Sequence, residues 1–540
     1  MSHRLSLWGL MEAAFHKHAA RPALSYSDGT TLRYGEMGAY VRSLADQLRE
    51  QLPFGARVAI LENRPVDEAC LVLACLSLNM VIVPLAAKYG EARCVQIIQQ
   101  TRPHVLVTLS EHGLGAGLQA ACAEAGTKVV VPALARQEEY DANRAEVSMH
   151  RESLSSGETL SRTTPAEAHT EDAEAQLSDM PQVPPSFIMY TSGSTGQPKG
   201  AVLTYDNIQS NMEDIQQYFE LNADDHILIN RSLSHASVLT GEFLLGCACG
   251  AQMTFYDEPF VPRRLASFME QRHITVFCST PTIFYQMAMD KVERRLPELR
   301  KVALMGEYLH KQVALTISEK YRHVQFYMLY GQTEASPRVT YLPPEHFGWK
   351  ESCIGSPMVS MQADVVDDLG RSCRTGEDGE LILKGPNIFW GYWNNPELTE
   401  RKLRDGWLYT GDMVRRGEDG YLYIIGRKDD MIIRAGMNIY PKEIEDVLLE
   451  DRRIKQAVAY GVPDPRYGQK IHISVVSHSE LEEPLSVMEI MEICKGRLAS
   501  YQLPDIIRIV DEIPRNAAGK IVRRQIIEDR TTNLNLKECY

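Results

Sequence analysis

The chain has 540 residues, 44% of them hydrophobic and 24% charged, and a formal net charge of −14. That length exceeds one compact domain and predicts two or three, while the acidic balance excludes a nucleic-acid binder working through a basic surface. Eleven cysteines are scattered with no Cys-x-x-Cys pair, which argues against a disulfide scaffold or a zinc site and for reduced, buried thiols in a cytoplasmic protein.

The N-terminus, MSHRLSLWGLMEAAFHKHAA, lacks the continuous apolar core of a secretory signal and reads as an amphipathic helix. Ala69 to Ala87 carries no charge, but Asn79 and Pro84 interrupt it. A buried helix ending near Leu78 and a strand from Met80 to Val83 account for it without a membrane span. Residues 137–185 are polar, with too few large apolar side chains to order themselves, and are expected to form a mobile surface insertion or linker. From Phe187 to Tyr330 strands alternate with helices. The strands are expected at Phe187–Tyr190, Ile227–Ile229, Met253–Tyr256, Ile274–Cys278, Val302–Leu304 and Tyr327–Leu329. The helices are expected over Tyr205–Phe219, near Ser237–Cys247 and after Pro281. Such alternation predicts an α/β fold of helix-covered sheets. After Gly376 the character changes, and Gly379–Gly426 reads as a mainly β region. A small α/β unit follows, with helices over Lys442–Glu450 and Val487–Leu498 and strands near Ala457, Ile471 and Ile506–Val510. A domain boundary is expected at Arg427–Asp430. The basic pairs Arg294-Arg295, Arg452-Arg453 and Arg523-Arg524 read as solvated helix faces.

The run Tyr190-Thr191-Ser192-Gly193-Ser194-Thr195-Gly196-Gln197-Pro198-Lys199-Gly200 follows an apolar strand. Its glycines let backbone N–H groups approach an anion, and its four hydroxyls and Lys199 add donors, a combination suited to a polyphosphate. Lys199 is followed by Gly200 rather than Ser or Thr, so this is not a Walker A loop.

This run resembles the signature loop of the adenylate-forming superfamily, which contains acyl- and aryl-CoA ligases, peptide-synthetase adenylation domains and firefly-type luciferases. Further motifs in matching order extend the resemblance over most of the chain. Tyr330-Gly331-Gln332-Thr333-Glu334 resembles the second motif, which implies an aromatic face against adenine, Thr333 on the α-phosphate and Glu334 on Mg²⁺; hydroxyl and carboxylate oxygens beside a triphosphate suit that ion. Gly406 to Asp412 resembles the third, which implies that Asp412 accepts the ribose hydroxyls. In Gly426-Arg427-Lys428-Asp429 the resemblance places Arg427 on ribose and Asp429 at a hinge. Gly306 and Glu307, in Met305-Gly306-Glu307-Tyr308, should border the acyl pocket and adenine, with Tyr308 leaving pocket depth open. In Arg515-Asn516-Ala517-Ala518-Gly519-Lys520 it makes Lys520 the lysine that drives adenylation. The implied architecture is a large N-terminal domain over 1–426 with a β-rich subdomain, a hinge over 427–430, and a small mobile C-terminal lid over 431–540.

The implied chemistry uses ATP, Mg²⁺ and coenzyme A. A carboxylate attacks the α-phosphorus, aided by charge neutralisation and positioning, and a thiol then attacks the acyl-adenylate. The face around Gly436 would line the pantetheine channel, although an ordinary turn glycine is the plainer account. His235 stands where amino-acid-activating relatives carry aspartate, so the expected acid is an aryl or fatty acid; a hydrogen-bonded core histidine explains it equally well. Glu242, seven residues on, could pair with a substrate amine, cap a polar network or point to solvent. Met437 to Glu445 resembles CoA ligases more than peptide-synthetase domains and no carrier domain follows, which favours free coenzyme A, with a separate carrier protein as the alternative. A luciferase-like oxygenase shares the same motifs. A non-enzymatic binding module would be expected to lose Lys520 or Glu334, and both are present.

Overall fold

The computed structural model describes residues 4–53, 55–61, 64–86, 89–108, 114–132, 184–192, 198–290, 296–307, 309, 311–348, 350, 352–478, 485–515, 521, 523, 526 and 527. The insertion expected over 137–185 therefore lies outside the described residues.

The first helix, Leu7–Lys17, starts where Ser6 Oγ accepts the N–H of Gly9 at 3.1 Å and buries Leu7, Met11, Ala14 and Phe15. The uncharged stretch resolves as expected: the helix Pro65–Ser77 is buried along nearly its whole length, Asn79 turns the chain at positive φ, and the strand Val81–Leu85 follows. No helix among the described residues is long and apolar enough to cross a membrane.

Two large sheets organise the N-terminal part. A seven-stranded sheet runs, in order, through 391–392, 198–204, 186–192, 81–85, 57–61, 105–107 and 128–130, parallel from Ser186–Ser192 onward. A fourteen-stranded sheet carries at its heart the parallel series 325–331, 301–304, 276–279, 226–229, 252–255 and 22–25. These strands read as near-continuous apolar runs because helices bury both faces. The helix Tyr205–Phe219 begins in a capping box, Thr204 Oγ1 accepting from Asn207 N and Asn207 Oδ1 from Thr204 N.

Two details depart from the expectation. The change to antiparallel pairing comes before Gly376: Arg338–Leu342, Cys353–Pro357 and Gln362–Val366 already belong to the antiparallel half of the fourteen-stranded sheet, so the β-rich region is continuous with it. The helix expected near Ser237–Cys247 is built as Ala236–Val238, a π-helical Leu239–Leu244 and Leu245–Cys249.

Beyond Arg427 the chain forms the hairpin Ile432–Arg434/Met437–Ile439 and a three-stranded sheet of 454–464, 468–477 and 506–509. The helices Pro441–Leu449 and Val487–Arg497 pack on it around Ile444, Leu448, Ile473 and Cys494. This is the small α/β unit read from the sequence. Among the described residues no disulfide forms, and eight cysteines are buried, Cys249 and Cys373 being partly exposed. Burial raises these thiols; Cys75 and Cys278 are pushed up to about 12, and Cys353 and Cys494 to about 11.

Candidate active site

Parallel strands end on one edge of their sheet, and ligands of open α/β sheets collect there. Ile229, Ser279, Leu304 and Gly331 end four such strands, so the segments carrying His235, Thr280, Gly306-Glu307 and Gln332-Thr333-Glu334 emerge along one rim.

The two ends of the Gly/Ser/Thr run belong to the paired strands Ser186–Ser192 and Pro198–Thr204, where Thr191 opposes Lys199. Gly193, Ser194, Thr195 and Gly196 lie outside the described residues. Gly200 is required by packing: a Cβ there would come within 2.8 Å of Ile188 Cγ2. On its outer edge this strand pair meets Gly391-Tyr392, and Trp393 N donates to Gly200 O. Tyr392 then reaches to the second motif, its hydroxyl donating to Glu334 Oε1 at 2.7 Å, while Phe389 N donates to the Glu334 carbonyl. One buried tyrosine thus joins Glu334 to the strand pair that flanks the Gly/Ser/Thr run. The sequence reading missed Tyr392, because its role arises from strand pairing between distant segments.

Thr333, Glu334 and Ala335 form a single 3₁₀ turn behind Gly331 and Gln332. Gly331 has no alternative, since a Cβ would lie 2.0 Å from the carbonyl oxygen of Pro337. Tyr330 is tied to the third motif: its hydroxyl donates to Asp412 Oδ2 at 2.5 Å, and Arg427 Nη1 meets Asp412 Oδ1 at 3.0 Å. Asp412 and Arg427 face each other across neighbouring antiparallel strands, so the carboxylate and its basic partner are held in register by the sheet. Asp412 is buried, and burial with the Asp412 charge keeps Tyr330 protonated. Lys402 was also missed. Its ammonium approaches Gly411 closely enough that a Cβ there would lie 3.2 Å away, and burial lowers its pKa despite the attraction of Glu380, Asp429 and Glu334.

Gly306 has φ +85° with nothing within 4 Å of a would-be Cβ, leaving open backbone at the rim. Glu307 Oε2 accepts from Thr282 Oγ1 at 2.5 Å and Thr282 N at 3.2 Å, so it caps the helix Pro281–Ala288 as well as bordering the rim. His235 is the partly buried N-cap residue of Ala236–Val238. Glu242 does not point to solvent: it is 0% exposed, and Oε1 accepts from Arg231 Nη2 at 2.6 Å. The wider π turn also removes the seven-residue alignment with His235 that an α-helix would give.

The N-terminal part matches the AMP-binding enzyme family model over residues 11–393, and the AMP-binding enzyme C-terminal domain model matches over 443–520. The chain belongs to the AMP-binding enzyme family. Feruloyl-CoA synthase of Amycolatopsis sp. is 31% identical over 528 residues, 97% of this chain and 98% of that protein. The 2-succinylbenzoate–CoA ligase of Geobacillus sp. (strain WCH70) is 32% identical over 63% of this chain and 68% of its own length. Among solved structures, ATP-bound MatB from Rhodopseudomonas palustris superposes with a TM-score of 0.82 at 25% identity, covering 97% of this chain and 99% of that one. O-succinylbenzoate coenzyme A synthetase (MenE) of Bacillus subtilis, in complex with ATP and magnesium ion, gives 0.79 at 25% identity, covering 96% and 99%.

In this AMP-binding enzyme the junction after Arg427 is a 3₁₀ turn, Lys428–Asp430, with Asp429 exposed. Lys428 Nζ donates to Asp368 at 2.9 Å and Glu380 at 3.1 Å, and Lys442 Nζ to Ser352 Oγ at 3.0 Å. Arg523 is not on a solvated face: it meets Asp430 at 3.0 Å and Glu445 at 2.7 Å, fastening the chain end to the junction. Gly436 and Ala435 both have positive φ in the two-residue loop of the hairpin 432–439, so turn geometry explains this glycine, and nothing lies within 4 Å of its would-be Cβ. Lys520 lies outside the described residues. Glu334, oriented by Tyr392 and adjacent to Thr333, suits Mg²⁺, which commonly takes one or two protein carboxylates and completes its shell with water and phosphate oxygens.

Proposed function

We propose that this enzyme is an AMP-forming acid–CoA ligase. The observation that carries the reading is the Tyr392–Glu334 bond, which brings the carboxylate of the second motif to the strand pair that flanks the Gly/Ser/Thr run. Similarity to CoA ligases along almost the whole chain supports coenzyme A as the thiol, and nothing found favours a carrier protein.

Thr191, Ser192, Gly193, Ser194, Thr195, Gly196 and Lys199 cradle the phosphates of ATP. Gly306, Glu307, Tyr330, Gly331 and Gln332 border the adenine, and Asp412 with Arg427 takes the ribose. Mg²⁺, held through Glu334, supplies charge neutralisation on the phosphates. Thr333 contacts the α-phosphate and Lys520 bridges it and the substrate carboxylate as a point charge, while a carboxylate oxygen, near His235, attacks the α-phosphorus. The bond to the bridging oxygen breaks and pyrophosphate leaves. In the second half-reaction the sulfur of coenzyme A attacks the acyl carbon, AMP departs with the carbon–oxygen electron pair, and the thiol proton passes to solvent.

Residues 1–426 form the adenylate-forming domain, 427–430 the hinge, centred on Asp429, and 431–540 the lid. The separate hydrophobic cluster of the C-terminal unit supports that division. Lid rotation exchanges Lys520 for the Gly436 face between half-reactions.

The test is ATP–pyrophosphate exchange over a panel of acids, followed by addition of coenzyme A and mass measurement of the thioester. Lys520→Ala should lower exchange by roughly 100-fold or more, yet leave thioester formation from pre-made acyl-adenylate nearly intact. Equal loss in both half-reactions would refute domain alternation. A product mass without coenzyme A would refute the acceptor.

A further inference from the structure

Beneath the rim lies a group of charged side chains to which the adenylation chemistry assigns no part. Arg338 is 2% exposed and Glu242 0%. Arg338 stands opposite Gly331 in the strand pair that ends in the second motif. Glu242 and Arg231 belong to the segment that leaves the strand His226–Ile229 and carries His235. Cys278, whose Sγ lies 3.7 Å from Arg338 Nη2, is the penultimate residue of the neighbouring parallel strand. Three strand ends therefore converge on Arg338 directly under the segment holding Thr333 and Glu334.

The charges do not balance. Two guanidinium groups, Arg231 and Arg338, face one carboxylate, Glu242, leaving a formal +1. Glu242 gives its Oε1 to Arg231. The hydrogen-bond and ring contacts of Arg338 are all neutral: Tyr218 hydroxyl at 3.0 Å, Gly241 carbonyl at 3.3 Å, Cys278 sulfur at 3.7 Å, and the Phe219 ring 5.5 Å away; its neighbouring anion is Glu242, which acts on it at longer range and is shared with Arg231. No carboxylate among the described residues lies within hydrogen-bond distance of it. Tyr218 and Cys278 cannot become counter-ions, because burial raises both, Cys278 to about 12. Arg338 Nε, Arg231 Nε and Glu242 Oε2 are buried with no hydrogen-bond partner. The backbone makes room for this guanidinium: a Cβ on Gly241 would lie 2.6–2.7 Å from Arg338 Nη2, Cζ and Nε. Two guanidiniums sharing one carboxylate leave Arg338 with no hydrogen-bonded anion of its own, which is costly for a buried cation, and a planar guanidinium fork is the group best matched to a carboxylate.

We infer that Arg338, with Arg231 and Glu242, forms the far end of the acid-binding pocket and selects an acid that carries a second carboxylate, distal to the one that is activated. The inference rests on the acid–CoA ligase reading and narrows its substrate class from aryl or fatty acids in general to dicarboxylates, aliphatic or aromatic. The same excess positive charge disfavours an amine at that end, so Glu242 serves as an internal counter-ion and not as an ammonium ligand.

The experiment is ATP–pyrophosphate exchange by the full chain with matched pairs of acids, straight-chain and aromatic, each dicarboxylate set against the monoacid of the same length. A third arm replaces the distal carboxylate by a phosphonate. At least one dicarboxylate should exceed its monoacid by roughly 100-fold in kcat/KM, and Arg338→Gln should collapse that ratio. A phosphonate acid activated better than the dicarboxylate would overturn the carboxylate assignment. Monoacids equal to or better than every matched dicarboxylate, or an unchanged ratio in Arg338→Gln, would show that the charges are scaffold and sink the inference while leaving the ligase reading intact. Absence of exchange with every acid would sink the ligase reading itself and this inference with it. Should Arg338→Gln fail to fold, the wild-type ratio, together with the rise in melting temperature produced by the dicarboxylate over its monoacid, decides the matter alone.

Discussion

Replacing Tyr392 by phenylalanine deletes a single oxygen from the interior of the site. The ring is 7% exposed and packs edge-on against Phe389 at 4.9 Å, and that packing survives the change. What is lost is the 2.7 Å bond to Glu334 Oε1. Burial and the neighbouring Glu334 raise the Tyr392 pKa, so the phenol remains a donor throughout any practical assay range. A hydrogen bond to an ionised group contributes about 1.5–3 kcal/mol, which corresponds to about 10- to 150-fold in rate. If Tyr392 orients Glu334 for Mg²⁺, ATP–pyrophosphate exchange should fall by that factor and the Mg²⁺ concentration for half-maximal exchange should rise. The melting temperature should stay within about 3 °C of the parent, because the packing is kept. Exchange titrated against Mg²⁺ measures both quantities. Unchanged rate and unchanged Mg²⁺ dependence would refute the argument that this bond positions the carboxylate.

The remaining predictions concern the backbone and the C-terminal unit. Gly331→Ala forces a Cβ to 2.0 Å from a carbonyl oxygen and should abolish exchange, whereas Gly436→Ala, with open space around it, should cost only about 1 kcal/mol for its positive φ and leave exchange intact; comparable loss in both variants would contradict this. Arg523→Met strands Asp430 and Glu445 without their shared cation and should lower the stability of the C-terminal unit by about 3 kcal/mol, the low end for a buried pair because Asp430 is partly exposed; calorimetry showing no shift would refute it. His472 is buried, and burial followed by repulsion from Arg508 pushes its pKa down to about 4. The unfolded chain therefore binds more protons than the folded one between about pH 6.5 and 4, so stability should fall as pH drops through that window. His472→Gln should flatten that slope in pH-dependent melting, and an unaltered slope would assign the effect elsewhere.

Local chemistry made much of this architecture readable in advance. The helix Tyr205–Phe219 has its capping residues written beside it, and the helix and strand around Asn79 are bounded by their own breakers. The small unit after Arg427 follows from apolar periodicity alone. Partnerships across long separations were not readable. Tyr392 on Glu334, Tyr330 on Asp412 and Arg523 on Asp430 each join segments 58 to 93 residues apart, and the pairing of strands creates them. Glu242 shows the limit most clearly. Its sequence context left an amine ligand, a network cap and a solvent-facing side chain open, and only the structure shows that it is buried and that two arginines, one of them nearly a hundred residues away, set its charge environment.

The buried cysteines have a practical consequence for anyone following this enzyme at work. A thiolate-selective colour reagent meets described protein sulfurs that are mostly enclosed and poorly ionised near neutrality. Added to the folded enzyme, such a reagent would report mainly the disappearance of free coenzyme A, giving a continuous signal for the second half-reaction. Added after denaturation, it would meet all eleven cysteine thiols at once, so the same reagent would also count unfolded molecules.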